Sequence, residues 1–179
     1  MHRLFVAIRP PADIRAGLLG LMNGIAGARW QDDDQLHLTL RFVGEVDRHQ
    51  ANDLADALAA IRFAPFELTL SSVGCFDRKG HVHTLWAGAQ PHDPLIQLHQ
   101  KVDRACIRAG LPPDDRSYFP HVTLARFGRT SGSMETFMAR HTDLKSAPFT
   151  VEDFALFESH LGQAGPAYHM VERYRAETS

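Results

Sequence analysis

Along this chain the hydrophobic positions switch between a period near two and a period near 3.6, and the switches mark the elements. Arg3–Arg9 (RLFVAIR) is apolar, rich in β-formers and stopped by Pro10 and Pro11, which predicts a strand. Over Pro11–Ile25, the residues Ile14, Leu18, Leu19 and Met22 recur at helical spacing, with Asp13 near the start. Leu36–Val43 (LHLTLRFV) predicts a strand closed by Gly44. Across Asp47–Ile61, the residues Leu54, Ala57, Leu58 and Ile61 share one helical face. Phe66–Val73 and Val82–Ala87 flank the turn signal Asp77-Arg78-Lys79-Gly80 and predict a hairpin. A helix is predicted over about Pro94–Ala109, where Leu95, Leu98, Val102 and Cys106 share a face and Gly110 ends it. A strand over Phe119–Phe127, a helix over Ser133–His141 and a strand over Phe149–Phe157 follow. After Gly162–Pro166 comes a last strand, Tyr168–Tyr174.

The two halves echo each other. His37-Leu38-Thr39-Leu40 recurs as His121-Val122-Thr123-Leu124, and Ala64-Pro65-Phe66 recurs as Ala147-Pro148-Phe149 at almost the same offset. Two matches in one order suggest a duplicated unit, with repeat units over approximately residues 11–90 and 91–175 inside a single domain, 1–179. Each half reads helix, HxT strand, helix, strand, strand. The expected class is α+β and bilobal: two pseudo-twofold-related lobes of mainly antiparallel sheet, helices outside, and an active-site cleft between them.

Composition narrows the function classes. The 179 residues carry a net charge of −2 with the histidines neutral, which argues against a broad polybasic grip on duplex nucleic acid. A small phosphate-bearing ligand held by a few residues remains open. The two cysteines, Cys75 and Cys106, have no zinc or CxxC spacing and read as reduced thiols of a cytosolic protein. No secretory signal is visible, and no stretch approaches the about 18 apolar residues of a membrane span. A cytoplasmic monomer with no obligate protein partner and no membrane attachment is expected.

The chemistry sits on the HxT strands. Strand side chains alternate between faces, so His37, Thr39 and Arg41 share the non-core face of one strand, and His121 and Thr123 that of the other. A single HxT is usually structural. Here, however, the repeat copies a polar pair on the face that folding leaves unconstrained. Two imidazoles across a gap can supply a general base and a general acid, two hydroxyls can donate to non-bridging phosphate oxygens, and an Arg can neutralise developing charge. No cofactor and no metal are required.

These residues resemble the two-histidine (2H) phosphoesterases, and among them the RNA 2′,3′-cyclic phosphodiesterases, also called 2′-5′ RNA ligases. The likeness runs through Arg3-Leu4-Phe5-Val6-Ala7-Ile8, then Trp30 leading into Leu36–Glu45, Leu85-Trp86-Ala87-Gly88, Phe119–Arg126 and Tyr168–Tyr174. It implies hydrolysis of terminal 2′,3′-cyclic phosphates on RNA 3′ ends or small nucleotides to 2′-phosphates, with reversible 2′-5′ ligation as a further activity. It also implies His37 as general acid, His121 as general base and Arg126 as phosphate ligand. Strict alternation puts Arg126, five residues past His121, on the wrong face; either a bulge or the strand end redirects it, or Arg41, of the right parity, shares its role. Phe5 and Phe42 are candidates to stack on the nucleoside, although core packing is the ordinary use of each.

Other features carry less. His81-Val82-His83 reads as the exposed face of a hairpin strand, and Asp32-Asp33-Asp34 as a solvated turn. GRTSGS at 128–133 lacks the GK[ST] ending of a P-loop, so ATP is not implied. A second reading, from another class, is a non-catalytic module for phosphorylated RNA ends or nucleotides, which would bind without turnover. A third uses His37 and His121 as metal ligands, for which the repeat supplies no matching carboxylate or thiolate.

Overall fold

The computed structural model describes residues 1–163 and 165–178. Strand β1 (His2–Ile8) is followed by α1 (Ala12–Leu19), the short β2 (Arg29–Trp30), a 3-10 turn (Asp33–Gln35), β3 (Leu38–Val46) and α2 (Arg48–Ala59). Then come β4 (Phe66–Arg78), β5 (His81–Gln90), α3 (His92–Arg108), β6 (His121–Arg126) and α4 (Glu135–His141). The chain closes with β7 (Phe149–Val151), β8 (Asp153–Gly162) and β9 (Gly165–Arg175).

The strands hydrogen-bond in the order β7-β4-β5-β6-β3-β1-β8-β9, every pairing antiparallel, with β2 beside β6. Each HxT strand thus heads a group of four: β3-β1-β8-β9 and β6-β5-β4-β7. The groups meet at one register pair, Leu38↔Val122. The strand after α2 joins the β6 group, and β8, after α4, joins the β3 group, so the chain exchanges strands between the lobes. The predicted strand Phe149–Phe157 is two strands, because only Glu152 separates β7, at one end of the order, from β8, near the other. One residue advances the chain by at most about 3.6 Å. The sheet must therefore curl until these strands meet.

Packing follows the amphipathic patterns. Helix α3 buries Leu95, Leu98, His99, Val102, Ala105 and Cys106. Helix α2, N-capped by the Asp47 side chain accepting from Gln50 N at 2.8 Å, packs on α3. Strand β1 is covered on both faces: Leu4, Val6 and Ile8 join the main core, while Phe5 and Ala7 join a smaller cluster with Ala155, Phe157 and Tyr168. Among the described residues neither cysteine is in a disulfide; Cys106 is buried and Cys75 half-buried.

Two expectations shift locally, and one short strand is new. Helix α1 stops at Leu19, capped by Gly20 donating to Ala16 O, so the Met22 position lies beyond it. Gly44 does not close β3; at φ +88° it follows a bulge that loops out Val43, and the strand continues to Val46. The pairing of Arg29–Trp30 with β6 had no periodicity to announce it, since two residues are too few for a pattern.

Candidate active site

The two HxT strands lie side by side at the crossing point of the lobes. At Leu38↔Val122 both side chains enter the core, so His37 and Thr39 on one strand, and His121 and Thr123 on the other, project to the opposite face. There they line a cleft of about 650 Å³. In an unbroken ladder His37 and His121, diagonal across that pair, would sit roughly 7–8 Å apart. Here β3 and β6 share only this one register pair.

Each strand bulges three residues past its histidine. Ala7 faces Thr39 and Val6 faces Arg41, which loops out Leu40; Trp86 faces Thr123 and Leu85 faces Ala125, which loops out Leu124. Each extra residue reverses the alternation. Residue five past the histidine therefore returns to the cleft: Phe42, 54% exposed, on β3 and Arg126 on β6. The residue four past it turns inward: Arg41 and Ala125, both buried.

This corrects the parity argument. The bulge brings Arg126 into the cleft beside Thr123, and it takes Arg41 out. Arg41 is 6% exposed, its Nε lies 2.9 Å from Asp103 Oδ1 on α3, and its guanidinium donates to the Pro112 carbonyl. The counterpart of Arg126 on the first strand is Phe42, which is a cleft residue rather than core. Phe5 is core, 6% exposed, although its edge reaches the cleft.

The β3 bulge is clamped by α3 and by the segment that follows it. His99 Nδ1–H donates to Leu40 O at 2.7 Å, Tyr118 Oη–H donates to Thr39 O at 3.0 Å, and the two rings stack at 4.2 Å. Burial pushes the Tyr118 phenol up, so it remains a donor. His99 and Asp103, four apart on α3, present to one face and hold both the looped-out backbone and the reversed Arg41.

Each histidine sits among aromatic rings. His37, 7% exposed, has Phe157 at 4.6 Å, Tyr168 at 5.5 Å and Phe5 at 5.8 Å, all edge-on. Burial pushes its pKa from 6.5 down to about 4; the Arg9 and Arg15 charges act the same way, the Gln35 backbone and Asp34 oppositely. Among the described residues neither ring nitrogen makes a hydrogen bond of ordinary geometry, although the Gln35 backbone lies close enough to favour the charged ring. His121 has Phe76 at 5.0 Å, with Phe119 and Trp86 just beyond 6 Å. Burial pushes its pKa down too, opposed by the Phe119 carbonyl and aided by Arg126. Its Nδ1 lies 2.7 Å from that carbonyl, which can only accept. The proton is therefore on Nδ1 in the neutral ring, and Nε2 keeps its lone pair. Trp86 reaches this position because its register partner is Gly74: a Cβ there would lie 2.2 Å from Trp86 Cζ2.

Sequence reasoning missed several cleft residues. His83 and Thr84 line it, Thr84 as the register partner of Arg126, with His83 Nδ1 2.8 Å from Thr84 Oγ1. A register shift at Phe76/Asp77 reverses the hairpin's alternation. Arg3, Arg116 and Arg126 also line the cleft, and among the described residues no carboxylate does. The Asp32–Asp34 run is held back: Asp32 caps the 3-10 turn through Gln35 N, and Asp33 pairs with Arg15 at 2.9 Å and Arg9 at 3.3 Å. Among the described residues no group of three or more His, Cys, Asp or Glu is placed to share a metal ion.

The family model of the 2′-5′ RNA ligase superfamily matches residues 25–163. An RNA 2′,3′-cyclic phosphodiesterase of Aeropyrum pernix is 30% identical over 151 residues, covering 83% of this chain and 86% of its own length. A protein of the same name from Archaeoglobus fulgidus is 27% identical over 169 residues, covering 93% and 96%. Among solved structures, E. coli LigT complexed with 3′-AMP superposes with a TM-score of 0.80 at 28% identity, over 99% of both chains.

Proposed function

The chain belongs to the 2′-5′ RNA ligase superfamily, and on that premise we propose that it hydrolyses terminal 2′,3′-cyclic phosphates of RNA to 2′-phosphates, without metal, using His37 and His121. The observation that carries this reading is the pair of imidazoles on one cleft that no carboxylate lines among the described residues, each with a threonine two residues on, and Arg126 turned in beside Thr123.

His121 Nε2 takes a proton from the attacking water, whose oxygen bonds to phosphorus in line with the departing 3′ oxygen. His37 gives its proton to that oxygen, and the phosphate remains on the 2′ oxygen. Thr39 and Thr123 donate to the non-bridging oxygens, and Arg126 balances their charge. Protonated His37 is consistent with its burial once an anion sits beside it. A unit charge about 4 Å away, at an effective dielectric near 20, contributes about 4 kcal/mol. That offsets the roughly 3 kcal/mol that burial takes from the imidazolium. At the β3 end, exposed Phe42 and Phe119 flank a side pocket of about 190 Å³ suited to a base.

The test is product analysis on adenosine 2′,3′-cyclic phosphate with excess EDTA. A 2′-phosphate is expected. A 3′-phosphate would exchange the acid and base assignments, and tight binding without turnover would favour a non-catalytic RNA-end module.

A further inference from the structure

Beyond the cleft wall, Arg29 on β2 is the register partner of Arg126 on β6. Register partners on antiparallel strands project to the same face, and like charges directly opposite destabilise a sheet. Arg29 is exposed, and among the described residues neither guanidinium makes an ion pair or a side-chain hydrogen bond. The neighbours confirm the direction. Trp30 packs on the core with Phe137, whereas Gln31, of the same parity as Arg29, lines the cleft. Arg29 therefore stands beside Arg126 just outside the cleft lining, next to Gln31 and at the end away from Phe42, Phe119 and Arg116. Arg116 is already engaged, 3.3 Å from Asp114 Oδ1 and over the Phe42 ring.

We infer that Arg29 forms a second phosphate subsite, which takes the phosphodiester on the 5′ side of the terminal nucleotide and makes the cleft select oligonucleotide ends over mononucleotides. The inference rests on the hydrolase reading above and assigns to Arg29 the recognition of the chain 5′ to the reacting phosphate. The chemistry of the ribose sets the direction. The cyclic phosphate spans the 2′ and 3′ oxygens, the base leaves the ring at C1′ on one side, and the 5′ phosphate leaves through C4′ on the other. With the base at the aromatic end, the next phosphate reaches the β2 end. There Arg29 meets it while Arg126 keeps the reacting one, and the anions relieve the repulsion between the two guanidiniums.

The test compares kcat/KM for a diadenylate ending in a 2′,3′-cyclic phosphate with that for adenosine 2′,3′-cyclic phosphate, in wild type and Arg29→Ala. The wild-type ratio should be about tenfold or more. In Arg29→Ala, and in wild type acting on a diadenylate joined by an uncharged methylphosphonate, it should fall towards one. An unchanged ratio in Arg29→Ala overturns the inference and leaves the hydrolase reading standing. If neither substrate turns over, the hydrolase reading fails, and fluorescence-monitored binding still decides the subsite. Diadenylate 2′-phosphate should then bind wild type about tenfold tighter than adenosine 2′-phosphate, with the difference lost in Arg29→Ala; equal affinities overturn it. Arg29→Lys, which keeps the charge, separates loss of charge from local misfolding: it should retain most of the preference.

Discussion

Burial of His37 makes the fold acid-sensitive by a calculable amount. The unfolded chain binds a proton at this ring near pH 6.5, while the folded chain resists until about pH 4. The unfolded state thus holds more protons in that window, and stability falls as pH falls through it. The contribution is fully present above pH 6.5, is lost by about 1.4 kcal/mol per pH unit below that, and levels off below about pH 4 at roughly 3 kcal/mol. His37→Leu removes the titrating ring and keeps an apolar side chain against Phe5, Phe157 and Tyr168. Urea unfolding of both proteins between pH 8 and pH 4.5 isolates this group, because all other titrations are common to the two. From pH 7.5 to pH 4.5 the wild type should lose about 2.5 kcal/mol more than His37→Leu. Adenosine 2′-phosphate should shrink that difference, since its anion favours the imidazolium. Parallel pH curves for the two proteins would refute the buried, unpartnered placement of His37.

Three further outcomes follow from other contacts. His121→Ala should lower kcat by about 10²–10⁴-fold with the unfolding midpoint little changed, as measured by single-turnover hydrolysis beside urea denaturation; a few-fold loss would remove His121 from proton transfer. Asp103→Asn leaves the Arg41 guanidinium buried without its carboxylate and should cost about 3–5 kcal/mol of unfolding free energy, whereas Asp103→Glu should recover part of it. Gly74→Ala forces Trp86 off its partner strand, so the Trp fluorescence spectrum should shift and turnover should drop as the wall behind His121 loosens; an unaltered spectrum with full activity would contradict the 2.2 Å approach.

Much of this architecture was legible because it rests on local periodicity. The alternation around Leu38, Leu40, Val122 and Leu124 announces two half-buried strands. Leu95, Leu98, Val102 and Cys106 announce the core face of α3. Alternation fails where a strand bulges, since bulges arise from pairing with a neighbour and leave no mark on one strand's own sequence. Strict parity therefore sends Arg41 to the cleft and Arg126 away from it, and the paired bulges at Leu40 and Leu124 reverse both. His83 and Thr84 were hidden for the same reason, behind a register shift in the hairpin.

Local pattern and duplication were enough to specify antiparallel lobes with outer helices, two copied imidazole–hydroxyl couples, and the absence of any stretch apolar enough to cross a membrane as a helix. Long-range pairing decided the rest: which arginine faces phosphate, that Phe42 is bare while Phe5 is packed, and that Arg29 stands beside Arg126. The reason is physical. A side chain's face follows from its own residue count only while the ladder is regular, and contacts from β1, β5 and α3, distant in the chain, decide where that regularity breaks.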